Sequence, residues 1–141
     1  MAITLTETQI VWSSATSVTV SAATAVTSDA FLIDATTIAA SIQVSVDNAG
    51  TAASGDTATF QVAYTNGDIL GDSADDYDTT EHAAPLMIMD TYATNTPGED
   101  PARKTAPIAV GVKGGKLIVT CPQAATRNIV VRARLIEKRS A

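Results

Sequence analysis

The residues best equipped for chemistry are crowded into one stretch, GDILGDSADDYDTTEH. It runs from Gly67 to His82, carries six carboxylates (Asp68, Asp72, Asp75, Asp76, Asp78 and Glu81), and ends on the only histidine of the chain. Carboxylate oxygens and backbone carbonyls are the ligands hard cations prefer, so Asp72, Asp75, Asp76 and Asp78 are the candidate ligands of a calcium-like ion. The spacing does not fit an EF-hand loop, because the glycines fall at the wrong places and no glutamate closes the frame. Glu81-His82 beside several aspartates offers a transition metal only one imidazole, a weak donor set. The stretch therefore reads as a solvated acidic loop, with no metal assigned and no cofactor expected.

Catalysis finds little to work with. Any Ser-His-Asp or Cys-His arrangement must use His82. There is no GxSxG elbow, and Cys121 has no basic neighbours in sequence to lower its pKa. Paired carboxylates serve glycosidases, but aromatics make up only 4% of the chain and the three tyrosines are scattered. GVKGGK lacks the spacing of a phosphate-cradling loop. The expectation is a protein that is not an enzyme.

The second chemical feature is charge placement. Residues 1–102 hold fourteen carboxylates and no base, whereas residues 103–141 hold nine bases and a single acid, Glu137. Arg127, Arg132, Arg134, Lys138 and Arg139 fall within thirteen residues. Alternation puts Arg132, Arg134 and Lys138 on one strand face. Nucleic acid is not expected as the partner, since the whole chain is acidic and stacking aromatics are missing. Opposite charges along one chain favour contacts with copies of itself or with a charged protein. Arg103, Lys104, Arg132 and Arg134 on one side, and Asp75 and Asp76 on the other, are the interaction candidates. The acidic loop is expected to pair with bases after Arg103, in its own chain or a neighbour's.

The elements that position these groups read as strands. Period-two alternation recurs in ITLTETQI, SVTVSA, ASIQVSVD, ATFQVAYT and NIVVRARLIEK, joined by the apolar runs AFLID, PLMIMDTY, TAPIAVGV and KLIVTC. PLMIMDTY is apolar on both faces and fits a central strand or one beneath a loop. VKGGKL predicts a two-residue hairpin with Gly114-Gly115 at its centre. DNAGTAASGD and the Asn-Gly of TNGD predict turns, and TNTPGEDPARKTAP predicts a long irregular loop. DATTIAASI has enough β-branching to favour strand over helix. Eight to ten strands with one polar face imply an all-β, antiparallel sandwich of jelly-roll-like kind. A closed barrel is the alternative. An immunoglobulin-type domain fits poorly, with Trp12 near the start and no cysteine pair.

A chain of 141 residues is long enough to bury roughly two-thirds of its unfolded surface in one domain. The core must come from Val, Ile, Leu and Ala. Residues 31–141 are expected to form the sandwich, with 1–30 as a strand or arm packing on it or on a neighbour. MAITLTETQIVW has no basic residue and no uninterrupted apolar run, so a secretory signal is not expected. No apolar stretch nears the ~20 residues that span a bilayer, so no membrane partner is expected. Cys121 is expected to be a buried thiol and Trp12 a core residue.

From SIQVSVDNAGTAASGDTATFQVAYTNGDILGDSADDYDTTEHAAPLMIMDT through EDPARKTAPIAV, KGGKLIVTCPQAATRNIVVRARL, the chain resembles small virion proteins of tailed bacteriophages. These are the head decoration (cement) or auxiliary structural proteins encoded near the major capsid protein. The likeness is one of order and short words over about residues 36–137 and carries no catalytic signature. It does not extend to the first 30 residues. It implies a non-enzymatic structural protein, made in a host cytoplasm and carried on the virion, that binds the major capsid protein and copies of itself and stabilises the head. A neck, tail or fibre position is the variant of this expectation, and a calcium- or carbohydrate-binding β-sandwich module is the alternative.

Overall fold

The computed structural model describes residues 2–21, 23–48, 56–91, 102–121 and 128–140. Among them are ten strands: β1 (Ile3–Ile10), β2 (Val18–Val20), β3 (Thr24–Thr27), β4 (Phe31–Leu32), β5 (Thr37–Asn48), β6 (Thr57–Thr65), β7 (Ala84–Asp90), β8 (Ala102–Ile108), β9 (Gly114–Cys121) and β10 (Ile129–Ser140). All pairings are antiparallel, and one set of them is nested: β1 and β2 on β10, β3 and β4 on β9, β5 on β8, β6 on β7; β5 also pairs β10 and β6 pairs β9. The chain thus doubles back on itself and rolls into two sheets, β1-β10-β5-β8 and β3-β9-β6-β7. This is an antiparallel jelly-roll sandwich. Residues 1–30 supply β1 and β2 to the first sheet and β3 to the second.

Alternation decides what is buried. Ile42, Val44 and Val46 of β5 face Val131, Ala133 and Leu135 of β10 within one sheet, and Phe60, Val62, Leu117 and Val119 oppose them from the other. Burying such a side chain contributes roughly 1.5–3 kcal/mol each. Trp12 and Cys121 are buried in the same core. Trp12 also begins a tight turn. Ser13 and Ser14 both adopt positive φ, 47° and 67°. Asp29 stabilises this conformation by accepting both of their backbone N–H groups at 3.0 and 3.1 Å.

Three expectations from the sequence need correction. Gly114-Gly115 is not a hairpin turn: both residues lie inside β9, opposite Phe31 and Leu32 on one side and Tyr64 and Thr65 on the other. β8 and β9 belong to different sheets, so residues 109–113 cross between sheets, and the positive-φ glycine there is Gly111. The stretch TNTPGEDPARKTAP is not loop throughout, because residues 102–107 belong to β8; Pro107 is tolerated there because β8 is an edge strand among the described residues. Residues 94–101 of that segment, and the turn at 49–55, lie outside the described residues. Among the described residues β7 is neither central nor covered: it is an edge strand whose Met87 and Met89 point inward while Ile88 is exposed. The strands that do lie beneath a loop are β6 and β9. Their outward-facing Ala63 and Ile118 are buried with Ala83 and packed by Tyr77.

Candidate functional site: an acidic loop and a basic sheet face

The acidic stretch connects β6 to β7 and is a built structure. Asp78 N–H donates to the Tyr64 carbonyl and Asp76 N–H to the Gly67 carbonyl, both at 2.9 Å, holding the two limbs together. At the tip the carboxylates turn inward onto backbone amides. Asp76 Oδ2 accepts from Ile69 and Leu70 N–H at 2.7 and 2.9 Å. Asp68 accepts from Asp72 N–H at 3.1 Å and Ser73 N–H at 2.7 Å, and also from Gly71 N–H. The Ser73 N–H bond, helped by the other amides, holds the Asp68 carboxyl below the usual carboxylate range. Gly71 and Ser73 take positive φ, 79° and 70°, so that these amides can converge.

This bracing leaves Ile69 and Leu70 pointing into solvent, 84% and 76% exposed. Two adjacent large apolar side chains on an internally tied loop, ringed by carboxylates, form an exposed apolar patch. The sequence carries a signal for this pair, since Ile69-Leu70 is the only pair of large aliphatic residues in the acidic stretch.

Of the candidate cation ligands, Asp72 and Asp76 converge with Asp68, which the sequence reading did not single out; their ligand oxygens lie within 4.8 Å of one another. Asp75 instead pairs with Lys113 at 2.6 Å, and Asp78 accepts from Tyr64 N–H at 3.3 Å. The Asp68 oxygens are already engaged by amides, so the cluster is explained as loop scaffolding. His82 is exposed, with Nδ1 2.8 Å from the Thr79 hydroxyl, and no carboxylate hydrogen-bonds to it among the described residues. Beside the tip lies an open depression of about 530 Å³ lined by Tyr64, Tyr77, Asp68, Asp76 and Asp78. Two tyrosines that look scattered in sequence therefore meet here. Tyr77 carries Lys116 over its ring at 4.3 Å. Burial, with the Asp75 charge beside it, raises the Tyr77 hydroxyl above its ordinary value.

The basic candidates form a separate surface. Register places Arg132, Ser45 and Arg103 in one row across the outer face of the first sheet, and Gln9, Arg134, Gln43 and Thr105 in the next. Arg134 pairs with Glu7 at 2.9 Å and donates to Gln43 at 2.8 Å. The side chains of Arg103 and Arg132 have no hydrogen-bond or ion-pair partner among the described residues. A hollow of about 270 Å³ lies among these side chains. Lys104 is not part of this face. It lies on the core side of β8 and reaches across to the Ile88 carbonyl of β7 at 3.5 Å. The loop's partners within its own chain are thus Lys113 and Lys116, whereas Arg103, Arg132 and Arg134 face away from it with the sandwich between.

No family model and no curated protein matches the chain. Among solved structures it is similar to the CBM22-1–GH10 modules of endo-1,4-beta-D-xylanase 10B from Clostridium thermocellum, at 12% identity and a TM-score of 0.44 over 77% of this chain and 18% of that one. It is also similar to dimeric latent PorU from Porphyromonas gingivalis, at 9% identity and 0.49 over 98% and 13%. A Bacillus endospore-appendage pilus protein follows, at 11% and 0.36 over 98% and 89%. The chain spans less than a fifth of the first two. These likenesses carry no argument about activity.

Proposed function

We propose that the chain is a non-enzymatic structural protein of a tailed-bacteriophage virion, a decoration protein that binds the major capsid protein and stabilises the head. The observation that carries this reading is the loop tip. Its carboxylates tie down the backbone so that Ile69 and Leu70 are presented with little conformational freedom left to lose on binding, as a docking anchor requires. The jelly roll supplies the rigid support, and the resemblance over residues 36–137 supplies the kind of partner. Purified virions should contain the protein by mass spectrometry, and the isolated protein should co-sediment with expanded capsids. Absence from both ends the proposal. A density map of the particle separates a head position from a neck, tail or fibre position.

One observation favours a second reading, a calcium- or carbohydrate-binding module: the depression that joins Tyr64 and Tyr77 to the Asp68–Asp72–Asp76 cluster. A ligand that binds only the folded state must raise the melting temperature, by the equivalent of about 2.7 kcal/mol at a hundredfold excess over Kd. The decoration reading predicts equal melting curves in millimolar calcium and in EDTA. A rise with calcium, or with a xylan or other soluble glycan, moves the assignment to this second reading.

A further inference from the structure

We infer that the outer face of the β1-β10-β5-β8 sheet is the docking site for the acidic loop of a second copy of this chain, so that copies join head to tail. This rests on reading the loop as a protein-binding element and names a neighbouring copy as the partner of its tip, so that capsid contact falls to other surfaces of the decoration protein. The two surfaces match in both charge and apolarity. The sheet face has a cationic end, Arg103, Arg132 and Arg134, and adjoining it an apolar end. There, a hollow of about 170 Å³ is lined by Leu5, Ala39 and Ile136, with Lys138 at its side. Leu5 and its neighbour Ile3 are 63% and 61% exposed. They face outward because Thr6 and Thr8, not they, stand beside the inward-facing Glu137 and Leu135. The loop tip offers the counterpart, Ile69 and Leu70 among Asp68, Asp72 and Asp76.

A loop cannot reach this face in its own copy, because it projects from the other sheet and the core lies between. Contact must therefore run from the loop of one copy to the sheet of the next. Such a heterologous contact grows into a ring or a filament. Arg103 and Arg132, whose side chains have no partner among the described residues, are the cations available to it. Nucleic acid is the poorer occupant. The face carries Glu7 and Asp47 among its bases and, among the described residues, has no aromatic side chain for stacking.

Two variants test this on the full chain. Arg103→Glu/Arg132→Glu alters only the face, at exposed positions without partners. Ile69→Ser/Leu70→Ser alters only the tip and keeps the backbone amides that brace it. In sedimentation velocity the wild type should gain mass with concentration, and less so at high salt. Each variant alone should associate at least tenfold more weakly. Mixed together they should form a one-to-one dimer and stop, because one contributes an intact loop and the other an intact face. A wild type that stays monomeric to about 1 mM overturns the inference, as does a mixture that remains monomeric. Tight binding of a single-stranded DNA oligonucleotide, lost in the arginine variant, overturns it in favour of nucleic acid. Presence in virions is read separately, so its failure and the failure of self-docking are distinguishable.

Discussion

Replacing Glu137 by alanine should destabilise the protein by about 3 kcal/mol, lowering the melting temperature by roughly 10 °C. Glu137 is fully buried on the inner side of β10. Its Oε2 accepts the Asp34 N–H at 3.0 Å and the Thr37 hydroxyl, and its Oε1 pairs with Arg139 at 2.7 Å. Removing the carboxylate leaves the buried Thr37 hydroxyl without its acceptor, at a cost of about 1–3 kcal/mol, and the part-buried Asp34 N–H with it at a smaller one. Arg139 is partly exposed and can turn to water, which keeps the loss at the lower end for a broken buried pair. The pH dependence follows from the same contacts. Burial alone would raise the carboxyl, but Arg139, Thr37 and the Asp34 amide together outweigh it and bring it below its ordinary 4.5. The unfolded chain thus takes up this proton at higher pH than the folded one. The stabilisation is complete above about pH 4.5 and disappears as pH falls through the folded value. Denaturation of wild type and Glu137→Gln, compared from pH 7 to pH 3, should show a stability gap that narrows on the acid side. A gap that stays constant or widens contradicts this assignment.

Glu137 also shows where sequence reading stops. As the sole acid among nine bases after residue 102 it was conspicuous, and alternation sets it on the same face as Leu135, but nothing local names the partners that let a carboxylate stay buried there. Its partners Asp34 and Thr37 lie about a hundred residues away and meet it only because β10 and β5 pair. The sandwich itself was legible because alternation is local: every run with clean period two became a strand, and Ile42, Val44 and Val46 faced inward as their spacing required. The acidic loop was legible as an exposed connection for the same reason. Its internal order was not. Whether a carboxylate faces water, a cation or a neighbouring amide depends on backbone angles such as the positive φ of Gly71 and Ser73, and Ser73 gives no sign of one. The exposure of Ile3 and Leu5 was equally hidden. ITLTETQI alternates cleanly, but alternation says only that two faces differ. The register against β10 decides that the threonine face turns inward.

Gly114→Val is the substitution for which structure and sequence predict different outcomes. If Gly114-Gly115 formed a turn, a side chain at either position would meet positive φ, costing about 1 kcal/mol for alanine. In β9 the constraint is instead close approach. A Cβ on Gly114 would lie 2.1 Å from the Phe31 carbonyl oxygen and 3.2 Å from the Leu32 Cα, backbone atoms that no rotamer change can move aside. Relief requires separating β4 from β9, and Phe31, buried at the other side of that contact, moves with it. The cost should reach about 3 kcal/mol, the upper end for overpacking, because a strand pairing goes together with a core aromatic. The residue that does sit in the crossing segment, Gly111, has φ of +81° and nothing within 4 Å of a Cβ. Gly111→Ala should therefore cost only the local backbone strain, about 1 kcal/mol. Urea denaturation of the two variants gives the order directly. Gly114→Val falling within about 1 kcal/mol of wild type would mean that β4 does not pack against β9, and would return these glycines to a turn.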